Sequence, residues 1–569
     1  MKKFSPSAFL RGRLPLAILA GLLLATAFPK IGVAGFAWIA PGLILATALG
    51  KRGWEAFRIG YAAGMAHYLG SLYWLLNIPV TGFPILGWIA LAAFLSLFPA
   101  TWVWLNSSPA PHHGTSDWLT AVREISQLSW VQRMSWALRS AASWVALEMI
   151  LARIFGGFPW NLLGDSQYRI VPLLQFASAT GVYGVSFLVV WTSVSLLCGV
   201  SSILGKPTQR SPWMVEIILP FTMVVVAMFY GFHQLSRPFT EDRELKVALV
   251  QPGIPQTMIW NPTNDLRRFH DLIHLSEEAL TNKPDLIIWP EAALPGLPRF
   301  DPEFADPISS LARDHKTWMI IGADDAEATP TETNYFNASF LIDPDGKLAN
   351  NYRKRGLVIF GEYIPLVRWL PFIKWFTPIT GSYTAGTGPV PFDLDVWDER
   401  PHGPQQEIAN TLSVVSLRRK VHTSVLICFE DVFPHLARKS VEPDTDFLVN
   451  ITNDGWFGEG AAQWQQAAAA TFRTIENGVP LIRCANTGIT CWMDANGRWR
   501  QIFTDKTGSV YGVGFMIGTV PLPAKHPPTF YNQHGDVFGW ACVALTGLTF
   551  ILKRLRRDSF THAAPPAIP

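Results

Sequence analysis

The sequence predicts a membrane α-helical bundle of about eight transmembrane helices joined to a soluble α/β domain. Hydrophobic residues make up 49% of the 569 positions and charged ones only 16%, too apolar for an ordinary soluble enzyme of this length. Apolar runs near the ~20 residues that cross a bilayer as a helix recur up to position 235 and once more near position 540. Between them, residues 236–533 have soluble composition, with short β-rich runs separated by helical ones.

The apolar runs occupy residues 14–28, 31–49, 54–77, 85–105, 136–155, 180–204, 217–235 and 537–552. The fifth carries Arg139, Glu148 and Arg153, which leaves its ends loosely set. The first also reads as a secretory signal, because Lys2, Lys3, Arg11 and Arg13 precede it and Ala25-Thr26-Ala27 resembles a small-residue cleavage site. Retained as a span, it keeps the later helices in clean alternation. With the N-terminus inside, the cytoplasmic segments then hold those four residues, Lys51 and Arg52, Arg123 and Arg133, Lys206 and Arg210, and Lys553, Arg554, Arg556 and Arg557. The opposite short loops show Lys30 and Arg169. This asymmetry predicts that the long segment between the seventh and eighth spans lies on the outer face.

The expected domains are therefore 1–235, holding spans one to seven with a cytoplasmic insertion at 106–134; 236–533, the soluble α/β domain; and 534–569, the eighth span and a cytoplasmic tail. The insertion contains an amphipathic piece at 118–128 that reads as a surface-lying helix or a linker. In the soluble domain, strands are expected at 245–250, 286–288, 318–321, 413–417, 423–428 and 447–451, and helices at 264–279 and 461–477. Residues 397–409, charged and carrying prolines, read as a solvated loop.

Composition also excludes. A net charge of +3 is too small to form the basic field that nucleic acid requires. The five cysteines show no CxxC and no Cys/His ligand spacing, so no metal and no disulfide framework is expected. Cys198 and Cys542 sit in apolar runs and read as small packing residues, and whether Cys484 and Cys491 pair is left open.

Three positions in the soluble domain combine reactive side chains with strand ends or turns, where open α/β sheets place their sites. Glu291, in LIIWPEAALPG, follows a β-run and is fixed by Pro290; it reads as a base or as a helix cap. Lys354, in NNYRKRGLVIFGEYIP, lies in a basic cluster that reads as solvated surface, except that the adjacent GEYIP turn brings Glu362 close to the cation. Cys428, in SVLICFEDVFP, ends a β-run and precedes Glu430 and Asp431; it reads as a buried packing residue or as a nucleophile at the rim of the sheet. A thiol attacks well only when a base removes its proton and a cation stabilises the charge that develops, and Glu291 and Lys354 are the right types.

WPE, then YRK with LVIFGEYIP, then ICFEDVFP, in that order, resemble the Glu, Lys, Cys triad of the nitrilase superfamily. The surrounding spans, together with LVQPGIPQTMIW, NDGWFGEG, ENGVPLIRCANTGIT and GFPWNLLGDSQY, resemble the apolipoprotein N-acyltransferase family over most of the chain. The resemblance implies a nitrilase-like αββα sandwich on the periplasmic side of the inner membrane. It implies Glu291 as general base, Lys354 as electrostatic stabiliser and Cys428 as nucleophile, with Trp260, Glu362, Phe429, Glu430 and Trp456 supporting the site or binding substrate. Two departures bear on substrate fit: Ile359 stands where the family has Pro, and Phe429 where it has Tyr, removing a hydroxyl but keeping an aromatic wall.

The implied reaction is ping-pong. A phospholipid donates an acyl group to Cys428 as a thioester, and the α-amine of a diacylglyceryl apolipoprotein takes it as an amide, with no cofactor. Acyl chains cannot be lifted into water at ~0.8 kcal/mol per CH₂, so the site must open toward membrane lipid. Trp260, Trp456 and Phe457 are candidates for an apolar lip or for sandwich core. The competing readings are a membrane-anchored nitrilase-type amidase, with water in place of the amine, and a scaffold without activity.

Overall fold

The computed structural model describes residues 12–79, 83–107, 117–205, 214–237, 241–259, 262–330, 332–365, 381–398, 417–523 and 528–561. The described residues fall into two compact units, one within 12–76, 84–236 and 533–561, and one within 77–83 and 237–532.

The first unit is helical. Its main helices are α1 (Arg13–Ala25), α2 (Ala40–Ala48), α3 (Gly53–Ser71), α4 (Phe83–Asn106), α5 (Trp118–Gln127), α6 (Trp130–Leu151), α7 (Val182–Gly205) and α8 (Met214–Leu235), with a C-terminal helix, Val537–Thr561, packed against α6. Among the described residues, three helices are long and apolar enough to cross a membrane: Pro84–Asn106, Val182–Gly205 and Met214–Leu235. Arg13–Ala25 and Val537–Leu552 are shorter apolar helices.

The run at 31–49 departs from expectation. It forms a short 3-10 turn, Ala34–Trp38, and then the nine residues of α2. At 1.5 Å per residue α2 covers about 13 Å, less than half of a ~30 Å hydrocarbon layer. Gly32, in the left-handed region, and Pro41 at the helix start interrupt what composition alone reads as continuous. Close helix contact also depends on a small residue: a Cβ on Gly21 of α1 would meet the Ala63 carbonyl oxygen of α3 at 2.1 Å.

Helix α5 begins where Asp117 accepts the Thr120 N–H, and α6 begins at a capping box of Ser129 and Gln132. Arg133, at the start of α6, is fully buried and pairs with Glu216 of α8 at 2.5 Å, while also donating to the carbonyls of Ser126 and Leu128.

The second unit is a sandwich of two six-stranded sheets. The first is built from β1 (Glu241–Gln251), β2 (Leu286–Ile288), β3 (Trp318–Ala328), β4 (Thr333–Ile342), β5 (Leu348–Arg353) and β12 (Gly514–Pro523), in the order β12-β1-β2-β3-β4-β5. The second is built from β6 (Pro391–Asp398), β7 (Leu417–Ile427), β8 (Phe447–Thr452), β9 (Leu481–Ala485), β10 (Cys491–Met493) and β11 (Trp499–Ile502), in the order β11-β10-β9-β8-β7-β6.

Alternation along each strand sends one set of residues between the sheets and the other under helices. Val247 and Leu249 of β1 point between the sheets, where they share the inner core with Val425, Ile427, Val449 and Ile451. The opposite faces carry Ala248 and Val250 to α9 (Asp265–Leu280) and α10 (Pro302–His315), and Leu426 and Leu448 to α11 (Ala462–Asn477). The layers are thus helix, sheet, sheet, helix.

Of the expected loop at 397–409, Trp397 and Asp398 instead end β6, paired with Arg418 and Leu417; the remainder lies outside the described residues, as does the expected strand at 413–417 apart from Leu417. Cys484 and Cys491 are both free thiols. Cys491 sits opposite Arg483 in the sheet, whereas Cys484 faces the inner core, so the two sulfurs point to opposite faces and do not pair.

Candidate active site

Strand ends of both sheets converge on one group of polar side chains. Strand β2 is short, and the chain turns at Pro290 to present Glu291, 6% exposed. The turn can lie so close to β3 only because position 322 is glycine: a Cβ there would meet the Pro290 carbonyl oxygen at 2.3 Å and the Glu291 Cα at 2.7 Å. Lys354, 1% exposed, follows β5, and its backbone N–H extends the sheet by donating to the Asn337 carbonyl at 2.8 Å. The basic cluster is therefore not a solvated surface at this position. Cys428, half-buried, follows β7 in the left-handed region (φ 54°), as do Ala292 (φ 52°) and Phe360 (φ 62°) in the other loops of the site. Such conformations cost ~1–3 kcal/mol each in non-glycine residues and persist where surrounding structure holds them.

Glu291 caps no helix. Its Oε1 accepts from Lys354 Nζ (3.1 Å) and Asn337 Nδ2 (2.7 Å), and its Oε2 from the Asn453 backbone N–H (2.9 Å). Glu362 Oε1 accepts from the same two donors, Lys354 Nζ (2.7 Å) and Asn337 Nδ2 (2.9 Å), and its Oε2 from the Val358 N–H (2.8 Å). One ammonium is thus held by two carboxylates. Burial pulls the Lys354 pKa down, but Glu291 and Glu362 outweigh it and hold the group well above the usual lysine range. Burial pushes the Cys428 thiol well up, with the Glu291 charge adding and the Lys354 charge opposing. The resting sulfur is a thiol, so a nucleophilic role requires a base in the same step.

Glu430 is fully buried and accepts from the backbone N–H groups of Ile427, Arg355 and Gly356 and from the Tyr352 hydroxyl. It ties the loop that carries Lys354 to the turn that carries Cys428. Phe429 is half-buried, with its ring centroid 5.8 Å from Lys354 Nζ. Trp456 and Phe457 are half-exposed in the turn Asp454–Phe457 and do not belong to the sandwich core. Trp260 lies outside the described residues.

Several participants escaped the sequence reading. Asn337 bridges the two glutamates, and Asn453 supplies a backbone donor to Glu291. Arg483, fully buried on β9, binds Asp431 (2.6 Å), Asn450 (2.7 Å) and Asp454 (3.0 Å). Asn450 in turn donates to the Cys428 carbonyl at 2.8 Å. Asn453 and Asp454 lie in NDGWFGEG, Arg483 in ENGVPLIRCANTGIT and Asp431 in ICFEDVFP, all already singled out; Asn337 and Asn450 had no local signal.

Two family models match the chain: carbon-nitrogen hydrolase over residues 246–518 and the apolipoprotein N-acyltransferase N-terminal domain over residues 20–195. The chain is 34% identical over 556 residues to the apolipoprotein N-acyltransferase of Geobacter metallireducens, covering 96% of each. It is 29% identical over 490 residues to that of Rickettsia prowazekii, covering 85% of this chain and 87% of the relative. Among solved structures, an amidase from Nesterenkonia sp. aligns with a TM-score of 0.33 at 15% identity, over 51% of this chain and 92% of the amidase.

Proposed function

The chain belongs to the apolipoprotein N-acyltransferase family, and from that premise we propose how its own residues carry out acyl transfer in lipoprotein maturation. It is a multi-pass inner-membrane acyltransferase. In the proposed reaction Glu291 takes the Cys428 proton as the sulfur attacks an ester carbonyl of a phospholipid. Lys354, already an ammonium, stabilises the oxyanion with a backbone N–H. Glu291 returns the proton to the departing lysophospholipid, leaving a thioester. The α-amine of a diacylglyceryl-cysteine apolipoprotein then attacks, forming an amide and restoring the thiol.

The observation that carries this reading is the placement of Glu291 and Lys354, in direct contact with each other, where both charges act on a raised Cys428 thiol. Glu362 and Asn337 hold the pair in register, Glu430 fixes the two loops, and Phe429 and Trp456 offer apolar surface for an acyl chain. About eight spans, the second crossing as a broken rather than a continuous helix, with the 236–533 domain on the periplasmic side, would match the Lys/Arg asymmetry and give both lipid substrates access from the bilayer.

The test is to incubate the purified enzyme with phospholipid and a diacylglyceryl-cysteine peptide and to weigh the peptide. One added acyl chain is expected. Free fatty acid with an unmodified peptide would favour the amidase-like alternative, in which water takes the place of the amine.

A further inference from the structure

The thioester reading leaves one proton without a destination. An α-amine has a reference pKa of ~8, so at neutral pH the acceptor arrives mostly as an ammonium with three N–H bonds. The amide keeps one of those hydrogens and the Cys428 thiol takes another as the C–S bond breaks. The third must leave as a proton, while Glu291 carries only one at a time.

The sheet places a further carboxylate beside the site glutamates. Asp324 of β3 is the register partner of Asn337 of β4, and Lys354 extends the same row beyond Asn337. All three lie on the inter-sheet face, as the inward packing of Ile320 and Leu341 on the same strands requires. Directly opposite residues in a sheet have Cα atoms ~4.5–5.5 Å apart. The Pro290-Glu291 turn crosses Gly322, two residues before Asp324 on the same face. Asp324 therefore sits beside the asparagine that holds both site glutamates.

Its charge is not taken up as theirs are. The Lys354 ammonium contacts Glu291 and Glu362. Arg353 and Arg299 pair with Asp325 on the opposite face of β3. Among the described residues, the groups that face Asp324 are the Tyr383 hydroxyl, which donates to it at 3.0 Å, and the charges of Glu291 and Glu362. Tyr383 also anchors to the Glu362 carbonyl through its backbone N–H. Asp324 and Tyr383 are both half-buried, so the pair also has a route to water.

We propose that Asp324 is a second proton acceptor of this site, taking the proton that an ammonium acceptor must shed before it attacks the thioester. Asp324 accepts the first proton and the amine attacks. Glu291 accepts the second as the C–N bond forms and delivers it to the Cys428 sulfur as the C–S bond breaks. Asp324 then releases its proton to water. Burial lifts the Asp324 pKa to about 6, against the Tyr383 hydrogen bond and with help from Glu291 and Glu362. It is thus ionised and ready at neutral pH, yet a stronger base than an ordinary aspartate.

The proposal rests on the two-step reading above, and the test separates them. Acyl-enzyme is made from phospholipid alone, then mixed from about pH 5 to 9 with a diacylglyceryl-cysteine peptide or, from about pH 7 upward, with hydroxylamine, which is there mainly the free base and brings no surplus proton. In the parent enzyme the peptide rate should level off above pH about 6. In Asp324→Asn, which can still accept the Tyr383 hydrogen bond, it should instead follow the free-amine fraction, rising about tenfold per pH unit toward ~8. At pH 7 the ratio of peptide to hydroxylamine rates should fall. Tyr383→Phe, which removes the bond that lowers the Asp324 pKa, should move the parent's break to higher pH. An Asp324→Asn enzyme with the parent's ratio and profile overturns the proposal alone, as does an unmoved break in Tyr383→Phe. Absence of any thioester in the parent enzyme overturns the two-step reading and this proposal with it.

Discussion

The sheet containing β2 to β5 brings to the site Glu291, Glu362, Asn337, Lys354 and Asp324, where two carboxylates share one ammonium and a third has a tyrosine hydroxyl. The sheet containing β7 to β9 brings Cys428 together with Asp431, Asp454 and Arg483, where both aspartates are locked on one buried guanidinium. In the proposed reaction, protons move among the groups of the first sheet. In the second, bidentate and multiply bonded contacts fix the backbone that aims the sulfur. One sandwich thus separates a row of reacting charges from the frame that aims the sulfur, and substitutions in the two should fail differently.

The largest effect is expected in the frame. Arg483→Met leaves Asp431 and Asp454 buried without their cation, and breaking such a pair costs ~3–5 kcal/mol, a large share of the ~5–15 kcal/mol that stabilises a typical protein. Folded protein in detergent should be lost or its thermal transition sharply lowered. A near-normal transition would show that the network is not the frame.

Glu291→Gln should do the opposite, keeping the fold and lowering turnover by ~10² or more, equivalent to about 2.7 kcal/mol at ~1.36 kcal/mol per tenfold. Lys354→Met should lower turnover as much and, because it leaves Glu291 and Glu362 without their cation, lower the thermal transition as well. If either variant turns over normally, the role given to that residue is wrong. Gly322→Ala sits between the classes. Its methyl group would press on Pro290 and Glu291, costing ~1–3 kcal/mol as overpacking does, and turnover should drop by more than the melting shift alone accounts for, because the base is displaced. Equal losses in both would mark Gly322 as a packing residue only.

The smallest effect is a pH dependence. Asp324 has a folded pKa of about 6, above the ~3.9 of an unfolded aspartate. Its contribution to stability is therefore fully present below pH ~4 and lost as pH rises through about 6. Asp324→Asn should flatten that decline, so thermal melts of parent and variant should draw apart between pH ~4 and 6. Parallel curves would place the Asp324 pKa near the ordinary value.

The sequence made the reactive positions legible because each lies in a short motif beside a Gly or Pro: Pro290 before Glu291, Gly361 and Pro365 around Glu362, Pro434 after Cys428. Helices α9 and α11 were legible from spacing and alanine content, within a residue at most ends. Strand β4 was not, because TNYFNASFLI mixes polar and apolar residues without clean alternation. With β4 unseen, Asn337 and its neighbour Asp324 had no register, and cross-strand adjacency is what gives them roles. Arg483 was hidden for a related reason: a buried charge in LIRCA makes sense only once Asp431 and Asp454 are known to converge on it. In the helical unit, apolar length identified Pro84–Asn106, Val182–Gly205 and Met214–Leu235, but counting apolar residues across 31–49 ignored the backbone breaks at Gly32 and Pro41.

The central claim is that Cys428 carries the acyl group between two substrates. With phospholipid and no amine acceptor, the reaction should stall after lysophospholipid departs, and the intact enzyme should gain the mass of one fatty acyl chain. Digestion should place that mass on the Cys428 peptide, neutral hydroxylamine should release it, and Cys428→Ala should show none. An acyl group on Cys484 or Cys491, or normal peptide acylation by Cys428→Ala, would contradict the account.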